Sequence, residues 1–161
     1  MKYLKLFLAH ILIFALSNFI FIYFHSFYEN TLFEITAIVF HLALVIVIYI
    51  GSGYYATTKT EKFKPLSYSI IAIIGICIWL IAFIDSPTDL NWKNGNGGLF
   101  WLLYRIYIIP TELPFCFSDY VSIDKFNIIM KHISLVTFTI LPSIFQAYGG
   151  FLKTKRNIKP A

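Results

Sequence analysis

The side chains able to do chemistry in this sequence lie inside long apolar stretches, where polarity is costly. His132, Thr139, Ser143 and Gln146 fall within an arc of roughly 60° if the chain there is helical at ~100° per residue. Glu34, His41 and Ser52 fall within roughly 20° on the same spacing. His10 and Ser17 form a third line, with Asn18 and His25 on its flank. Lipid offers no hydrogen bonds, so each stripe is expected to face other helices. Glu34, His41, His132, Thr139 and Gln146 form the candidate interior polar site.

His41 lies seven residues inward of Glu34, and His132 seven inward of Lys125, which places both imidazoles about 10 Å below those charges. With the Glu34 or Glu112 carboxylate close above them, the pair would suit a zinc-type site with an open position or a proton relay. The two imidazoles could also hold a haem. No close His-x-x-His or His-Glu-x-x-His spacing supports a metal. The expected role is therefore hydrogen bonding between helices, with no metal and no cofactor. A second candidate set, Arg105, Glu112 and Asp119, is expected to face outward and carry recognition, because exposed segments on a rigid scaffold commonly do so.

Other chemistries are excluded by pattern. No Gly-x-Ser-x-Gly elbow occurs, and the Asn94–Gly98 run lacks the Lys-Ser/Thr of a phosphate loop. Cys77 and Cys116 form no Cys-x-x-Cys pair, so the two redox pairs of a quinone-linked disulfide oxidoreductase are missing. Both read as ordinary apolar residues.

The elements that position these residues are apolar helices. Residues 6–28, 35–58, 66–84 and 133–152 are uncharged and approach the ~20 residues needed to cross ~30 Å of hydrocarbon. Hydrophobic residues make up 58% of the chain and charged ones 13%, against roughly 25% charged in soluble domains. The 17 Phe and 11 Tyr suit lipid-facing surfaces and interfacial belts. The expected fold is all-α: a single polytopic membrane domain over 1–161, an integral membrane four-helix bundle with a broken interfacial or re-entrant segment (99–118) before the last span. Met1–Lys5 followed by an apolar run resembles a signal peptide, but the run is longer than the ~7–15 residues of a cleavable one. An uncleaved first span is expected.

Residues 99–118 are read as broken because Pro110 and Pro114 each remove a helical hydrogen bond. Arg105 and Glu112 would each cost about 2.5–3.5 kcal/mol near the membrane centre. The segment is expected to pack over the outer mouth of the bundle, with Arg105 reaching head groups or an acid. Of the 13 Lys and Arg residues, nine then lie on the side of both termini and four on the other. The positive-inside rule makes the termini cytoplasmic, in a membrane expected to be a bacterial plasma membrane. The net charge of +5 comes from these juxtamembrane clusters, which suit anionic lipid head groups and exclude a nucleic-acid role.

Gly51-Ser52-Gly53 and Gly149-Gly150 each precede a Lys-Thr and a Lys-Pro. A duplicated hairpin or convergence on inner-boundary chemistry would both produce this, and the glycines would let helices approach closely. Functionally, the expectation is a non-catalytic membrane protein acting by contact with a membrane-protein partner, as an accessory subunit or a toxin-immunity protein. The alternatives are a small transporter or channel working as a homo-oligomer, and a histidine-based metal or haem enzyme.

Overall fold

The computed structural model describes residues 1–25, 31–58, 60–88, 90, 98–116 and 127–156, with the backbone alone for 21–25, 31–35, 113–116 and 156. These residues form five α-helices and no strand: α1 (Lys2–His25), α2 (Thr31–Ala56), α3 (Ile70–Asp85), α4 (Gly98–Cys116) and α5 (Ile128–Arg156). Three helices are long and apolar enough to span a membrane, over Lys2–Ile20, Thr36–Ala56 and Ile128–Lys155. The apolar run at 66–84 is divided into a 3-10 turn (Pro65–Tyr68) and α3, which has 16 residues. Pro65 opens the turn, a place that suits proline because a helix's first N–H has no partner anyway.

Helix directions follow from the contacts at each end. At one end, Lys2 of α1 bonds Glu61 and Ser67, and Phe151 of α5 packs edge-on against Phe63. At the other, His132 of α5 bonds the Pro87 carbonyl just beyond α3. The C-terminal ends of α2 and α5 therefore lie together beside the N-terminus of α1, and α2 and α5 run the same way.

α2 and α5 share the closest crossing. A Cβ on Gly53 would fall on the backbone of Gln146, and one on Gly149 on the backbone of Ile50 and Tyr54. The glycines thus do let these helices meet backbone to backbone, as small residues do in membrane proteins.

The expectation of a broken segment at 99–118 is overturned. α4 runs without interruption through Pro110 and Pro114, as α5 does through Pro142. Each proline removes one donor and frees the carbonyl four residues earlier, which a neighbouring helix can satisfy. Pro142 frees the Phe138 carbonyl, and Thr111 Oγ1 donates to it at 2.9 Å. Nor does α4 rest over the ends of the others. It is wedged among all four, with Trp101, Tyr104 and Ile108 fully buried. Residues 110, 111 and 112 are all buried.

The aromatic residues occupy both surface and interior, with Tyr3, Tyr55 and Tyr148 also exposed. Phe19, Phe40, Phe83 and Phe100 are exposed on the outside of the helices, as a lipid-facing role requires. Tyr49, Tyr68, Trp101 and Tyr104 are interior instead, correcting the expectation of a surface belt for them. Each carries a polar tip that another element can bond: Trp101 Nε1 donates to the Ser86 carbonyl at 2.9 Å, and Tyr104 Oη to the Leu135 carbonyl at 2.8 Å.

Candidate functional site

His10 of α1, Ser52 of α2 and Thr139, Ser143 and Gln146 of α5 bond across helices. Gln146, fully buried on α5, donates through its amide to the Leu6 carbonyl of α1 at 3.2 Å and to Ser52 Oγ of α2 at 3.1 Å. Thr139 Oγ1 pairs with Tyr104 Oη of α4 at 2.5 Å. Ser143 Oγ accepts the Ala72 N–H at 3.1 Å. That N–H lies in the first turn of α3, where no intrahelical carbonyl is available, and Ser69 makes no side-chain cap. A serine on α5 therefore caps α3.

His10 is the most fully bonded imidazole. Nδ1 lies 2.7 Å from Tyr49 Oη and Nε2 3.2 Å from the Tyr107 carbonyl, with the ring tilted against Tyr107. A carbonyl only accepts, so Nε2 carries the proton and Nδ1 accepts from Tyr49. Tyr107 Oη in turn donates to the Ile71 carbonyl at 2.7 Å. The cluster links α1, α2, α3 and α4.

His41 and His132 occupy different surroundings. His41 lies beside the Pro110 carbonyl of α4, without completing a hydrogen bond among the described residues. His132 Nε2 donates to Pro87 at 3.0 Å, and its ring is walled by Trp79, Phe83 and Trp101. Among the described residues, no three His, Cys, Asp or Glu side chains come together as a metal would need. The Glu34 side chain and Asp119 lie outside the described residues.

Arg105 and Glu112 form an ion pair two turns apart on one face of α4. Arg105 thus reaches an acid, as expected. Glu112 departs from its expected outward position, because its side chain is only 3% exposed. An unpaired carboxylate would be costly at such a depth, and the guanidinium offsets its charge.

At the end shared by the termini, Lys2 Nζ bonds Glu61 Oε1 at 2.7 Å and Ser67 Oγ at 2.8 Å, and sits 3.8 Å from the centre of the Tyr68 ring. The hydrogen bond from Lys2 holds the Glu61 carboxyl below the usual carboxylate range. Tyr68 Oη meets Thr57 Oγ1 at 2.5 Å and is where a Cβ on Gly150 would fall.

Sequence reasoning missed Tyr49, Tyr68, Tyr104 and Tyr107 as interior partners. One signal was present: Tyr49 lies eight residues after His41, so it shares that helical face within roughly 80° at ~100° per residue. Comparison with protein-family models, curated proteins and solved structures returns no match.

Proposed function

We propose that this is an integral membrane protein with four crossings, α1, α2, α3 and α5, into which α4 inserts as a re-entrant helix. An even number of crossings returns the C-terminus to the side of the N-terminus. The gathering of Lys2, Glu61, Tyr68 and Gly150 at one end supports this. The 3-10 turn lengthens the apolar path of α3. The end bearing Lys2, Lys5, Lys62, Lys64, Lys153 and Lys155 is then cytoplasmic by the positive-inside rule, in a membrane of bacterial plasma-membrane type.

Within that frame the protein acts without catalysis, by contact with a membrane partner, as an accessory subunit or a toxin-immunity protein. The observation that carries this reading is the engagement of the interior polar groups: Gln146, Thr139, Ser143, His10 and Thr111 each bond another helix. Groups used in this way set helix register and packing. Recognition then rests on the outer segment around Asp119 and on the outward face of α4, where Leu99, Leu103 and Ile106 are exposed. The buried Arg105–Glu112 pair favours a second reading, a small oligomeric transporter or channel.

The two are separated by a photo-crosslinker at Leu103, with Val47 as a lipid-facing control, and by ion flux in proteoliposomes. The contact reading expects one discrete adduct from Leu103 in native membranes, none from Val47, and no flux. Flux that Glu112→Gln abolishes would replace it with the transport reading.

A further inference from the structure

Three buried polar groups on neighbouring helices lie outside the bonded network. α1 and α2 run antiparallel, and their buried positions advance in rungs. Leu6 shares a core cluster with Ala56, His10 bonds Tyr49, and Ile13 shares the next cluster with Val45. Continued by four residues along each helix, the pattern brings Ser17 level with His41, and the two are 1% and 4% exposed. Ser17 Oγ and both ring nitrogens of His41 have no hydrogen-bond partner among the described residues. The third group is the Pro110 carbonyl beside the His41 ring. Its ordinary helical donor would be the N–H of residue 114, which is proline and has none.

We propose that Ser17, His41 and the Pro110 carbonyl form an internal hydration site, in which one water molecule ties α1, α2 and α4 together. The chemistry selects water. A carbonyl only accepts, a neutral imidazole offers one donor and one acceptor, and a serine hydroxyl offers both. A molecule with two donors and two acceptors matches that set, and buried waters typically make about three bonds to such groups. A transition-metal cation does not match, because one imidazole with a hydroxyl and an amide carbonyl is a poor ligand set. His41 is consequently the imidazole that water reaches, whereas His10, also 4% exposed, is sealed by Tyr49 and Tyr107.

The contrast between two equally buried histidines supplies the test. Deuterium exchange at the imidazole C2 carbon, read by mass spectrometry on the intact protein in lipid nanodiscs, reports water access to each ring. His41 should exchange several-fold faster than His10 on the high-pH plateau. Ser17→Val, which removes one partner of the water and fills its space, should bring His41 down to the His10 rate and leave His10 unchanged. Equal, slow exchange of His10 and His41 in the native chain would overturn the site. So would a His41 rate that Ser17→Val leaves untouched. Should that variant loosen the whole fold, His10 would accelerate too, and the native ratio then decides.

Discussion

Gly149→Ala places one methyl group at the close crossing of α2 and α5. The added Cβ would sit 2.8 Å from the Ile50 carbonyl carbon and from the Tyr54 nitrogen, and closer still to the Ile50 oxygen. These are backbone atoms of a helix, so no rotamer change can relieve the contact, and α2 and α5 must part. A gap of roughly 0.5–1 Å already forfeits about a quarter to a half of the dispersion energy of the atoms facing it. Overpacking of this kind costs about 1–3 kcal/mol. Replacing a mid-helix glycine by alanine returns about 1 kcal/mol of helix propensity. Separation also stretches the bonds from Gln146 to Ser52 and Leu6, worth about 0.6 kcal/mol each in membranes. The net expectation is a loss of about 2 kcal/mol, measured by steric trapping in bicelles or by the midpoint of unfolding in SDS. Gly51→Ala is the matched control, since a Cβ there meets nothing within 4 Å and should be neutral or slightly stabilising. If Gly149→Ala and Gly51→Ala prove indistinguishable, the close crossing is wrong.

Glu112→Gln leaves the Arg105 guanidinium without its counter-charge and should cost about 3 kcal/mol, the lower end for a broken buried pair because Arg105 is partly exposed. The double variant Arg105→Met, Glu112→Leu should recover most of that loss, and a cycle of denaturation midpoints measures it. Thr111→Val removes the donor to the Phe138 carbonyl that Pro142 frees, and should cost about 1–3 kcal/mol by the same assay. Glu61 has a folded pKa below its unfolded one. Its contribution is therefore complete above the unfolded value and lost as pH falls through the folded value. The midpoint should drop on acidification through the carboxylate range, and Glu61→Gln should flatten that part of the profile.

The membrane character and the inward stripes were legible because lipid imposes strict patterning. Apolar runs long enough to cross marked α1, α2 and α5, and period-3.6 spacing brought Thr139, Ser143 and Gln146 onto one buried face. Their partners were not legible. Gln146 bonds Leu6, 140 residues away, through a backbone carbonyl that has no sequence signature. α4 misled for a related reason. Proline removes a donor locally, but whether the helix breaks depends on who satisfies the freed carbonyl. For Phe138 that is Thr111, on a different helix. His41 and His132 share one level only if their helices are parallel and level. The wedge of α4 between the others gives the two imidazoles separate neighbours, Pro110 for one and an aromatic wall for the other.

In the proposed topology α4 enters the helix assembly without carrying the chain across, so that both termini share one face. Single cysteines at Lys5, Asn96 and Lys155, in a background with Cys77 and Cys116 replaced by alanine, test it in intact cells with a membrane-impermeant maleimide. The expected result is labelling at position 96 and protection at positions 5 and 155 until the membrane is permeabilised. Labelling of position 155 from outside, with position 5 protected, would mean that α4 is a fifth crossing and would contradict the shared end built from Lys2, Tyr68 and Gly150.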